Sequence, residues 1–176
     1  ILSSVSGKVL NISTKTDIFN NLSQFIEIEN NKKNEREIRE KPDIKNKSDF
    51  INMCKDFGLA NNEFYLYSFF EKLKENKTLY VFGKNDDFNF MNKIIFQKFN
   101  EKIIKTVEII TKLFKPKKVV FCLDKNDEKT YEILTKNNYK ISKKSAKKCI
   151  NFADLFNVFN ALNGVVQTDI FVSIYG

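Results

Sequence analysis

The chain has no histidine and no tryptophan, and only five glycines, two prolines and three cysteines in 176 residues. Without imidazole, a Ser-His or Cys-His nucleophile cannot be assembled within it. Cys54, Cys122 and Cys149 lie far apart and form no C-x-x-C pair, so neither a zinc site nor a four-thiolate iron–sulfur cluster is expected. Cys122 falls inside an apolar run and reads as core. Glycine is too sparse for G-x-G-x-x-G or G-x-x-x-x-G-K, which removes the usual dinucleotide and P-loop fingerprints. No window approaches 18 consecutive apolar residues, and no signal-peptide pattern opens the chain. A cytoplasmic protein is the expectation, cut from something longer at both ends.

Arginine is also scarce. Only Arg36 and Arg39 stand among the 30 basic residues, the rest being lysine, and the net charge is +8. Heavy use of Asn and Ile beside Lys is the mark of an AT-rich genome, in which Lys displaces Arg whatever the function. The surplus is uneven: residues 115–148 hold 11 Lys against Asp124, Asp127, Glu128 and Glu132. Within them, Lys140, Lys143, Lys144, Lys147 and Lys148 stand with no acid between. Such a run suits an anionic membrane surface or phosphates, or is simply a solvated loop. Nucleic acid is disfavoured, because bidentate Arg is missing and no nucleic-acid motif accompanies the lysines.

What is plentiful is phenylalanine, at 18 residues, and a repeating order of elements. Residues 78–82 (TLYVF) form an apolar run stopped by Gly83 and followed by an acidic loop. A helical pattern follows from Phe88, with a core-facing stripe at Phe96, Phe99, Ile103, Val107, Ile110 and Phe114, and Pro116 stops it. Residues 119–123 (VVFCL) make a second apolar run, then a helix over 127–136 capped by Asn126. Strand, helix, strand, helix predicts a parallel α/β unit with ligands beyond the carboxyl ends of the strands, at Gly83 and Asp124.

Around this unit, residues 8–12 and 24–29 alternate as strands, and residues 31–47 read as a charged linker containing Pro42. Ser48 is the expected N-cap of a helix that Gly58 stops, and a second helix is expected over 62–75. The aromatics of that second helix read as burial rather than flavin stacking. Residues 139–141 are expected as a short edge strand, 151–162 as a last helix and 169–175 as a closing strand.

In order, these pieces resemble the flavin-domain family shared by the FMN subunit of respiratory complex I, RnfC and NqrA. Residues 4–9 (SVSGKV) and 25–30 (FIEIEN) are similar to the S-G-x-V and I-x-I-E elements of its small barrel-sandwich module. Residues 57–64 (FGLANNEF) stand where the family has a Gly-rich loop, and 79–83 (LYVFG) resemble its L-I-x-N-G strand. Residues 124–126 (DKN), 150–154 (INFAD) and 169–176 match its E-D-N-K-like turn, Q-N-V-G-T helix start and V-T-V-x-G strand.

The resemblance implies a Rossmann-like parallel-sheet domain over 48–176, preceded by a partial β barrel-sandwich module over 1–30. It implies a subunit, or remnant, of an Rnf/Nqr-type NADH:quinone or NADH:ferredoxin electron-transport complex, structural or contacting partner subunits or quinone, and cytoplasmic or peripheral at the inner membrane. A surviving flavin pocket would use Gly58, Lys72, Gly83, Asn85, Asp86 and Asp87, with Lys72 matching the family lysine only across a three-residue insertion. Most family glycines are replaced here, so the expectation is a fold without bound FMN and not catalytic alone. The alternatives are a residual FMN- and NADH-binding oxidoreductase and a basic binding module.

Overall fold

A computed structural model describes residues 7–16, 20–31, 39–61, 63–84, 91–124, 127–143 and 149–166. Two sheets are present among them. The first is an antiparallel ribbon of β1 (Gly7–Thr16) and β2 (Leu22–Asn30), with a bulge between Val9 and Asn11. Its register puts Val9 opposite Ile28 and Ile12 opposite Ile26. One face of the ribbon is therefore aliphatic, while the other carries pairs such as Lys8 with Glu29.

The second sheet is parallel. Its strands are β3 (Thr78–Phe82), β4 (Lys118–Cys122), β5 (Lys140–Ser142) and β6 (Ile150–Asn151), in the order β5-β4-β3-β6. The chain runs outward from β3 through β4 to the edge strand β5, then crosses back to place β6 on the far side of β3. That reversal creates a topological switch point between β3 and β6. The fold class is α/β with a Rossmann-like parallel sheet, as the alternating pattern predicts. β5 occupies the edge and is shifted by one residue from the expected 139–141. β6 is too short to register as a hydrophobic run.

Five helices accompany the sheets among the described residues: α1 (Lys47–Asp56), α2 (Leu66–Lys72), α3 (Met91–Phe114), α4 (Glu128–Lys136) and α5 (Phe152–Leu162). The cap of α1 is Asn46, not Ser48. Its side chain accepts the Asp49 N–H at 3.0 Å, and the Asp49 carboxylate accepts the N–H groups of Lys45 and Asn46. An acid three residues after Asn46 closes this reciprocal box, and Ser48 lacks that partner. Asp127 caps α4 by accepting the Thr130 N–H, while Asn126 lies outside the described residues.

Helix α2 begins four residues later than position 62 because the preceding backbone is already bonded. The Asn61 side chain accepts the N–H groups of Glu63 and Phe64, and the Leu66 N–H donates to Leu59. α3 carries the expected stripe, with Phe96, Ile103, Val107, Ile110 and Phe114 all buried. Phe99 also packs against the core, half-buried with its ring stacked on Phe156 at 4.1 Å, although its φ of −131° breaks the helical geometry. The core is aromatic, with Phe50, Phe70 and Phe114 in mutual contact under α1–α3. Cys122 is fully buried, as expected. The helix of 88–90 and the closing strand of 169–175 fall outside the described residues.

Candidate functional site

The switch point is where a ligand of such a sheet would sit, so the side chains there decide what the fold can bind. Gly83 follows β3, and its N–H donates to the Cys122 carbonyl at 2.9 Å. A Cβ at position 83 would collide with the Phe152 ring and lie 2.7 Å from Leu123. Phe152 is the first residue of α5, is fully buried, and packs against Phe96 at 4.6 Å and Phe121 at 6.1 Å. Glycine is required here because the chain's own aromatic ring presses on its backbone.

The start of α5 is closed by a second layer of bonds. Asn151 caps the helix, accepting the Asp154 N–H at 2.8 Å, while the Asp154 carboxylate accepts the Asn151 N–H at 2.9 Å. The same Asp154 oxygen accepts the Asn61 side-chain amide at 3.0 Å, which ties the loop after α1 to α5. Burial lifts the Asp154 carboxyl from 3.8 to about 6, opposed by the bonds from Asn151 and Asn61 and reinforced by the charge of Glu63. Burial is also the main cause that raises the nearby Cys149 thiol to about 11, and it raises Cys54 to about 12. Both thiols stay protonated at neutral pH, and neither is an activated nucleophile.

Of the expected flavin residues, Gly58 and Gly83 occupy positions that helix termination and packing account for. Gly58 has a φ of +60° just beyond α1, where the Leu59 N–H reaches back to Cys54. That is a helix stop, and it accounts for this glycine without a ligand. Lys72 is an exposed residue in the last turn of α2. Asn85, Asp86 and Asp87 lie outside the described residues. No group of three or more potential metal-binding side chains occurs among the described residues.

Two surface grooves are lined by none of Gly58, Lys72 or Gly83. One, of about 670 Å³, lies at the carboxyl ends of β4 and β5 between Leu123, Asp124, Tyr131, Ile141 and Lys143. The other, of about 500 Å³, lies at their amino ends, between Lys112, Lys118, Val119, Tyr139 and Lys140. Lys140 and Lys143 thus bracket β5 and face different grooves, while Lys144, Lys147 and Lys148 are outside the described residues.

Sequence reasoning missed Phe152, Asn61 and Asp154 as the residues that fill the switch point. The signal for part of it was present: Asn46-x-x-Asp49 and Asn151-x-x-Asp154 share one capping spacing. These features define an α/β protein whose switch point is packed by its own side chains. The chain matches no known protein-family model and no curated protein sequence.

Proposed function

We propose that the chain is a structural, partner-contacting subunit or remnant of an Rnf/Nqr-type NADH:quinone or NADH:ferredoxin electron-transport complex, working without bound FMN. Supporting this reading are the ordered resemblance to the flavin-domain family and a parallel sheet with the matching alternation of strands and helices. The observation that carries the cofactor-free part is the Phe152 ring lying against Gly83, in the space a flavin-contacting backbone has to leave open.

The purified chain is expected to be colourless, and added FMN to keep its full fluorescence at micromolar protein. A flavin absorption band or saturable quenching would instead favour the oxidoreductase alternative. The partner reading is tested by isolating the tagged chain from membranes of its source. The flavin- and iron–sulfur-bearing subunits of such a complex are expected with it, and recovery of the chain alone would overturn the assignment.

A further inference from the structure

The amino end of the parallel sheet gathers lysines from three distant stretches. Lys77 ends the turn into β3, Lys112 and Lys115 close α3, Lys117 and Lys118 open β4, and Lys140 opens β5. All six are exposed. Parallel strands bring them together because every connection into such a sheet enters at the same end. The turns are joined directly, the Lys117 N–H donating to the Lys77 carbonyl at 2.9 Å.

The nearby acids do not cancel this charge. Glu75 bonds Lys47 at 2.9 Å and its charge also reaches Lys115, while Glu108 is the one acid lining the adjacent groove, against Lys112, Lys118 and Lys140. The salt bridges between described residues use Lys45, Lys47, Lys55 and Lys136, none of them in this group. The groove amid the lysines has an apolar floor in half-buried Val119 and Tyr139.

We propose that this amino end is a docking surface for an anionic phospholipid bilayer. Lysines on flexible stems suit the diffuse negative field of headgroups, and the Val119–Tyr139 floor gives one headgroup's glycerol carbons an apolar seat. Nucleic acid fits less well, since these six cations are all lysine and bidentate phosphate or base contacts favour arginine. No helix among the described residues is long and apolar enough to cross a membrane, so attachment here is to the surface. The inference stands independently of the electron-transport reading: flavin titration and vesicle binding probe opposite ends of the sheet, and either can fail alone.

The test is co-sedimentation of the full chain with vesicles of phosphatidylglycerol and phosphatidylcholine, against phosphatidylcholine alone. Binding is expected only with the anionic lipid and weakens as salt rises. Replacing Lys112, Lys118 and Lys140 together with Glu is expected to weaken binding at least about tenfold. A triple of equal charge change at exposed Lys8, Lys41 and Lys129 is expected to retain it. A milder triple, each lysine to Gln, with an unchanged circular dichroism spectrum, guards against misfolding. Absence of binding to anionic vesicles would overturn the proposal. So would equal loss in the two Glu triples, which would reduce the effect to net charge. Release of the protein from vesicles by a mixed-sequence oligonucleotide at lower concentration than lipid would reassign the surface to nucleic acid.

Discussion

At the carboxyl end of the parallel sheet the chain turns Phe152 onto Gly83 and binds its own loop through Asn61 and Asp154, whereas at the amino end it holds six lysines in water. Open parallel sheets commonly do the reverse, leaving the carboxyl end for ligands and the amino end for stability. Here the packing has moved to the switch point, and the charge to the end where strands begin. The difference teaches that a fold of this kind specifies a place for a ligand without obliging the sequence to leave that place open.

The largest effect is expected from removing the ring that closes the switch point. Phe152→Ala deletes a fully buried side chain in contact with Phe96 and Phe121. It should cost about 3–5 kcal/mol in urea unfolding. A cost below about 1 kcal/mol would mean that the ring is not core, and the contrast between the two ends would fail.

Asp154 sharpens the same end. Its folded carboxyl, near 6, lies above the 3.8 of an unfolded chain, so the folded state holds the proton more tightly. This group's contribution is therefore greatest below about pH 4 and is lost as pH rises toward 6, amounting to at most about 3 kcal/mol. Asp154→Asn, which keeps an acceptor for the Asn151 and Asn61 donors, should flatten the stability slope between pH 4 and 6 relative to the native chain. Chemical denaturation across that range reads it, and an unaltered slope would show that the carboxylate is better solvated than its burial implies.

How far such features were legible from sequence follows from their length and reach. The runs at 78–82 and 119–123 gave β3 and β4 because apolar residues repeat over five positions, and α5 was plain from its phenylalanines. β6 spans two residues, below any periodicity, yet it creates the switch point. α2 was overestimated because the Asn61 side chain takes backbone donors that propensity assigns to a helix. Gly58 was read both as a helix stop and as a remnant of a cofactor loop, and its positive φ needs only the first. The lysine cluster escaped a windowed count of charge. The window over 115–148 caught Lys115 to Lys118 and Lys140 but joined them to Lys143 at the opposite end of β5, and left out Lys77 and Lys112. Topology, not sequence proximity, assembles that surface.

A smaller effect, about 1 kcal/mol, is expected for Asn151→Ala, which removes the cap of α5 and leaves the Asp154 N–H without its acceptor. Asn46→Ala should cost a similar amount at α1, where the same box recurs without a buried acid. If the two caps act alone, the Asn151 change leaves the pH slope between 4 and 6 in place. A slope that disappears with Asn151 would show that the cap, rather than burial by the loop, governs Asp154. Thermal melts at pH 4 and pH 6 separate these outcomes.

The smallest effect belongs to the lysines. Replacing Lys112, Lys118 and Lys140 with Gln should change stability by no more than about 0.5 kcal/mol, since all three are exposed and none forms a salt bridge among the described residues. The sign is nonetheless informative. Like charges on neighbouring strand ends repel, and salt screens that repulsion, so the native melting temperature should rise with ionic strength while that of the triple variant rises less. A native melting temperature that falls with salt would mean that these lysines are held by attraction to acids on the protein itself. The amino end would then be a packed surface like the carboxyl end, with no free charge to offer a partner.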